Sequence, residues 1–386
     1  MGRPRDRLAA GLLDALHLWA IHLSGSNEVR ASEANYLSRA LRATGDGLSG
    51  THHRNTILHN IQAEVLLSHY FLRNNRFLEA NYHTSAAVSL VLSSGVHRIR
   101  SGDLHASGGP LVPAVRRLPP AQDAIEENER INAFWTVLTL NNCWTTADGS
   151  PSNICYTTPD ARIDTPWPLD INSPDALSLP DPSIGTVTNF LAGLPDVGVS
   201  MAALHAKAAI LFEQASRLAS QYHQSLINGE LNQFFRSFSA VDSLIARFKE
   251  SLPAVQLHPT RKILLIHCLA HVSTIQLHNP FVIENAASRM HVLESARRIV
   301  VELSHAPVNE FIYVDPIMGT LLMATCQAFI AELGRLKRHR GSGHQEKRSL
   351  VEAIQTVLAI MGIFSPSCPL MNSQLTIMQE LYRNLN

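Results

Sequence analysis

The sequence predicts an all-α protein: a large irregular multi-helix bundle of antiparallel helix pairs joined by long Pro-rich loops. Three observations predict it. Apolar residues recur at three- and four-residue spacing through most of the 386 residues. No stretch of useful length alternates apolar and polar residues, as a half-buried strand requires. Gly95, Gly149, Pro253 and Pro280 stand at the ends of periodic stretches, where they act as stops.

The elements follow in order. Residues 1–7 bring Arg3, Arg5 and Arg7 before the apolar run 8–13, a texture like that of a signal peptide. Asp14 and His17 interrupt the run, and no small-residue cleavage site follows. Gly2 is followed by Arg3, Pro4 and Asp6, which does not suit myristoylation. Over 55–73, Ile57, Ile61 and Val65 recur with Leu58, Leu66 and Tyr70 beside them, one broad face of an amphipathic helix. Asn74 and Asn75 make a turn. A helix over 77–94 then carries Tyr82, Ala86 and Leu90 on one stripe and ends at Gly95, a left-handed C-cap. The two form an antiparallel pair.

Residues 101–122 hold Gly102, Gly108, Gly109, Pro110, Pro113, Pro119 and Pro120 and read as a loop. Asp123 with Glu126 resembles a capping box, and the helix it opens carries Ile131, Phe134, Trp135 and Leu138 inward until Gly149. Residues 151–182 hold seven prolines and few periodic apolar positions, a long extended connection. Helices follow over 197–222, 227–252, 259–279, 283–304, 315–336, 345–361 and 370–385, the fifth opened by Asp315 and Pro316 as cap and first turn. The whole reads as one helical domain, 1–386, with loops near 101–122 and 151–196 and a basic segment at 335–348.

Composition narrows the function classes. Lys and Arg total 32 against 32 Asp and Glu, and charged residues make up 17% of the chain. That balance argues against a surface that grips duplex DNA through its phosphates, and against a disordered charged tail. Five cysteines, at 143, 155, 268, 326 and 368, form no Cys-x-x-Cys, so the expectation is buried, inert thiols in a reducing compartment. No segment reaches the roughly 18 uninterrupted apolar residues of a membrane helix. His267, His271, Gln327 and Glu332 break the two best candidates, 262–277 and 317–333. The chain is expected to be soluble, without a membrane partner.

Catalytic patterns are weak. His267, His271 and His278 fall at roughly 0°, 40° and 20° around one helix and share a face. Two histidines at i, i+4 can share a metal, but Cys268 stands where a zinc hydrolase has its Glu, and no third carboxylate accompanies them. A half-buried histidine stripe hydrogen-bonded to neighbouring helices is the preferred reading. A di-iron bundle needs two Glu-x-x-His elements, and only Glu302 with His305 fits. Gly45, Gly47 and Gly50 spell G-x-G-x-x-G without the strand and βαβ unit a dinucleotide site needs, so a connector between helices is expected. Neither a nucleophile elbow nor a P-loop occurs. No catalytic, cofactor-binding or metal residue is assigned, and no cofactor is expected.

The segment 335–348 sets Arg335, Lys337, Arg338, Arg340, Lys347 and Arg348 against Glu346, a local charge of about +5. It reads as a solvated helix end complementing the dipole, with a nuclear-import or nucleic-acid patch as the rival. Phe134, Trp135 and Trp144 read as core.

Several segments, in order, resemble the fungal-specific transcription-factor domain, the middle homology region of zinc-cluster transcription factors. They are 60–100 (NIQAEVLLSHYFLRNNRFLEANYHTSAAVSLVLSSGVHRIR), 129–146 (ERINAFWTVLTLNNCWTT), and DGSPS with ARIDTPWPLD within 148–170. LHNPF (277–281) and DPIMGTLLMATCQAFIAEL (315–333) complete the series. In place of the family's Gly-Arg-Pro-Ser-like turn the chain carries Ser150 where arginine is usual. The resemblance implies a helical regulatory region, the nucleus and transcriptional control. It also implies protein partners or a homodimer, and a small-molecule effector in a groove between helices. The family's six-cysteine cluster, which holds two zinc ions and touches DNA, is missing here, so DNA contact would run through a module this chain does not carry. The rival class is a cytosolic, solenoid-like adaptor that binds peptides. The helix pair 55–95 has that texture, although no second copy follows at about 34 residues. A third reading is a helical metalloenzyme using His267 and His271.

Overall fold

The computed structural model describes residues 8–47, 55–102, 118–156, 161–170, 181–256, 260–338 and 343–385. Its helices are α1 (Ala10–His22), α2 (Asn27–Arg30), α3 (Glu33–Asp46), α4 (Thr56–Arg73), α5 (Phe77–Ser93), α6 (Ala124–Asp148), α7 (Thr186–Leu191) and α8 (Met201–Ser220). They continue as α9 (Tyr222–Asn228), α10 (Leu231–Ser251), α11 (Arg261–His278), α12 (Ala286–His305), α13 (Ile317–Arg338), α14 (His344–Phe364) and α15 (Pro369–Leu385). Among the described residues there is no strand, only an isolated parallel bridge between Ser101 and Ser183. The fold is all-α.

The chain forms two compact units. One comprises Met1–Leu72, Arg76–Asn141 and Asn153–Ala203; the other comprises Arg73–Asn75, Asn142–Ser152 and Leu204–Asn386. Neither unit is continuous in sequence, which is why composition along the chain shows no boundary.

In the first unit α4 is buried nearly all round rather than along one face, with Leu58, Ile61, Ala63, Leu67, Phe71 and Leu72 all inside. Its polar positions face other helices too: Ser68 and Thr84 share a hydrogen bond of 2.8 Å, and His83 meets Glu64 at 2.5 Å. These bonds run α4 antiparallel to α5, as expected from the short turn, where Asn75 takes φ 61°. Gly95 is left-handed at φ 79° and ends α5 as a helix terminus favours. The stripe of α5 is different from the expected one. Ala80, His83, Ala87, Val88 and Val91 point inward, whereas Tyr82 is 70% exposed. Small residues win that face because they let α4 approach closely, and bulky Tyr82 is left outside.

The start of α6 nearly matches the capping box. Glu126 N–H donates to Asp123 Oδ1 at 3.0 Å, but Glu126 reaches back to the N–H of Gln122, one residue earlier than the motif. Ile131, Phe134, Trp135, Leu138 and Trp144 are core, as expected. Besides four-residue α2, two short helices escape sequence reading. One is α7, inside the expected loop 151–196 and too short to show a period. The other is α9, which ends at left-handed Gly229 (φ 73°) inside the expected helix 227–252. Of the loop 101–122, residues 103–117 lie outside the described residues, as do Arg3, Arg5, Arg7, Gly50, Pro159, Pro174, Pro180 and Arg340.

In the second unit, α10 through α15 each pack on the next, α10 on α11 and so to α14 on α15. In addition α11 packs on α13, α13 on α15 and α12 on α14. From α11 to α15 the odd helices form one row and the even helices the other, a short two-row stack. Asp315 opens α13 as expected, accepting from Ile317 N–H at 3.1 Å. Two helical stretches, Ile317–Arg338 and His344–Ser367, are long and apolar enough by composition to cross a membrane; the second was not among the sequence candidates. Some of their apolar positions are buried in the stack: Leu321, Leu322, Phe329 and Leu333 of α13 and Leu350, Ile354, Val357 and Met361 of α14.

Candidate functional site

Chemistry-bearing residues gather in three places. The first is the segment that carries the Asp-Thr-Pro resemblance. Asp164 is fully buried and accepts from Gly185 N–H at 2.7 Å, from the Arg162 guanidinium at 2.7 Å and from Ser101 Oγ. Burial alone pushes its carboxyl up; the three donors outweigh that and hold it below the usual carboxylate range. Thr165 Oγ1 donates to Val96 O at 2.6 Å, and Trp135 Nε1 donates to Pro166 O at 2.7 Å. The Trp135 and Trp167 rings stack at 4.4 Å. This closed knot fastens an extended segment to the helices of the first unit. All its polar groups are consumed internally, so it is architecture rather than a binding site.

The second place is α11, capped by Thr260, which accepts from Ile263 N–H at 3.3 Å. The shared face expected of its histidines is seen, and it turns toward α10 and the turn after it. His267 Nε2–H donates to Pro253 O at 2.9 Å, and His278 Nε2–H donates to Asp242 Oδ1 at 3.2 Å. With that tautomer fixed, His278 Nδ1 takes the Ser288 hydroxyl at 3.1 Å. The hydrogen bond from His278 draws the Asp242 carboxyl below its ordinary range. His271 stacks on His267 with ring centroids 6.5 Å apart. Burial, then the charges of Lys249, His267 and Arg298, lower its pKa to about 3. Lys249 itself, bonded to Thr274 Oγ1 at 2.9 Å, is lowered by burial. His267 and His278 therefore end on separate partners, while His271 between them keeps a buried Nδ1 without a hydrogen-bond partner among the described residues. Among the described residues no three His, Cys, Asp or Glu side chains converge as a metal would need.

The cysteines depart from expectation at one position. Cys143, Cys268, Cys326 and Cys368 are buried, and burial raises all four thiols, Cys268 and Cys326 to about 12. Cys155 is exposed. It sits in an extended stretch where Ile154 and Tyr156 take the inward positions, so the two-residue period turns it out. Gly45 and Gly47 lie at the end of α3, with a helix rather than a strand before them.

The third place was not read from the sequence. In the second unit a groove of about 890 Å³ lies among the C-terminal end of α11, the start of α12, α13 and the end of α15. Its walls include Ile275, Val282, Val292, Leu293, Ile330 and Leu381; Gln276, Asn279, Gln327 and Asn384 add polar atoms, and Arg289, Arg335, Arg338 and Glu332 add charge. Glu332 is buried and held by Arg335 through two bonds, of 2.6 and 2.9 Å. Arg289 donates to Val282 O at 3.1 Å. Gly334 lets Leu385 come close, since a Cβ there would stand 3.1 Å from Leu385 Cδ1, and Lys337 Nζ donates to Leu385 O at 3.0 Å. Part of the basic segment 335–348 thus faces the groove, while Arg348 pairs with Glu352 at 3.0 Å on the surface of α14. The available signal was the row Ala324, Ala328, Ala331 on α13, small residues at helical spacing, with Arg335 and Arg338 within the next two turns.

Compared with known proteins, the chain finds no match: no family model, no curated protein and no solved structure aligns with it significantly.

Proposed function

We propose that the chain is a non-catalytic regulatory and interaction domain of the fungal zinc-cluster transcription-factor type, acting in the nucleus through an effector or through protein contacts, including a second copy of itself. DNA contact would belong to a module other than these residues. The groove of the second unit carries the reading: it is preformed, its size suits a small molecule, and helices from distant parts of the sequence share its walls. A ligand there can bias how those helices pack, which is what effector control requires. The ordered series of resembling segments supports the same reading.

The test is to tether the chain to an unrelated DNA-binding domain upstream of a reporter in a fungal cell, and to image the tagged chain. Altered reporter output and a nuclear signal are expected. Unchanged output with a cytosolic signal overturns the reading. One observation favours a second reading, the cytosolic peptide-binding adaptor: the two-row packing of α11 to α15 is the neighbour pattern of a helical solenoid. A cytosolic chain that co-purifies with one defined peptide segment would favour it.

A further inference from the structure

The groove also has a chemistry that points to a class of ligand, and this inference rests on the regulatory reading above. Its walls are aliphatic, with Ile275, Val292, Leu293 and Leu381 turned into it. Its floor on α13 is low, because Ala324, Ala328 and Ala331 project only methyl groups at i, i+4 and i+7. A slender aliphatic body fits such a trough. Charge gathers where α13 ends. Of the four ionised groups lining the groove three are arginines and one is a carboxylate, and Glu332 is already satisfied by Arg335. Arg289 is steadied by the Val282 carbonyl. Arg338 is exposed and has no ion-pair partner among the described residues. A planar guanidinium with open donors beside an apolar trough is suited to a carboxylate, which it binds through two parallel hydrogen bonds.

We propose that this groove binds a free amphipathic carboxylic acid, its aliphatic body lying along the small face of α13 and its carboxylate on Arg338. Arg289 and Arg335 add long-range attraction without leaving their present partners.

The probe is decanoate, titrated calorimetrically into the full chain, with decanol as the uncharged body of the same length. Saturable one-site binding of decanoate is expected, with decanol at least about tenfold weaker, because it lacks the charge-assisted pair. Arg338→Gln should weaken decanoate by about tenfold and leave decanol unchanged, while Arg338→Lys retains part of the affinity. Ala328→Trp, which fills the floor, should remove both ligands; circular dichroism of each variant establishes that it is folded. Equal binding of decanol and decanoate, or unchanged affinity in Arg338→Gln, overturns the carboxylate assignment. Absence of saturable decanoate binding by the folded chain overturns the site. The reporter experiment separates the two ideas. Altered output from a chain that ignores decanoate overturns the ligand and leaves the regulatory reading standing, whereas decanoate binding by a chain inert on the reporter does the reverse.

Discussion

The Asp164 knot of the first unit and the arginine-edged groove of the second are built from the same chemistry and put it to opposite uses. Both set arginines and carboxylates beside apolar surface. Around Asp164 the donors of Arg162, Ser101 and Gly185 all end on one carboxylate, which is wholly out of water. Along the groove one pair, Arg335 with Glu332, is closed in that way, while Arg338 stands exposed beside the trough. Closure marks structure, because a satisfied buried network contributes to folding and has nothing left to offer a ligand. An unsatisfied cation on a cavity wall marks recognition, since its charge costs little there and gains most when a ligand arrives. The segment 161–170 thus serves the structure of its unit, and the proposed ligand groove lies in the other.

The contrast can be broken most severely at Asp164. Asp164→Ala leaves Arg162 and the Gly185 N–H without their acceptor, and should cost about 3–5 kcal/mol of stability, read from urea denaturation. The same carboxyl gives the first unit an acid limit. Its pKa is depressed in the fold, so its contribution is present above the unfolded value of 3.8 and is lost as pH falls through the lower folded value. Asp164→Asn should flatten that part of the profile.

In the second unit the pH dependence falls at a different place. His271 is held neutral to about pH 3 in the fold, whereas the unfolded chain takes up a proton near 6.5. The unfolded state therefore binds more protons between those values, and stability should fall by about 2 kcal/mol from pH 7 to pH 5. His271→Leu should remove this component; an unchanged slope in that variant would place its origin at another residue. Thr260→Ala, which deletes the side-chain cap of α11, should cost about 1 kcal/mol by the same denaturation measurement. The smallest effect on stability is expected at the groove. Arg338→Gln should stay within about 0.5 kcal/mol of the parent while losing decanoate, the signature of a residue kept for binding. A large destabilisation would move Arg338 to the structural side of the comparison.

Much of the helical scaffold was legible because it is local. The four-residue recurrence of Ile57, Ile61 and Val65, the cap at Asp315, the turn at Asn74 and Asn75 and the stop at Gly95 depend on neighbours a few residues away. The misses have equally physical causes. The stripe of α5 went to the small residues because α4 needed to approach, which no property of α5 alone reveals. Cys155 turned outward because its segment is extended against the core. The shared azimuth of His267, His271 and His278 was read correctly from helix geometry. Their partners come from elsewhere: Pro253 follows α10, Asp242 lies on α10 and Ser288 on α12, while His271 stacks on His267. The groove was out of reach for the same reason: Ile275, Leu293, Ala328 and Leu381 lie on four helices and meet only when those helices pack.

The sequence by itself determined the fold class, most helix positions and the core aromatics of α6, since backbone hydrogen bonding and apolar periodicity act over a turn or two of chain. Tertiary structure alone decided which charges are closed and which are open. Arg162 and Arg338 are the same residue type; one is held against a buried carboxylate and the other stands at the mouth of a trough, because ion pairing depends on distance in space rather than separation along the chain.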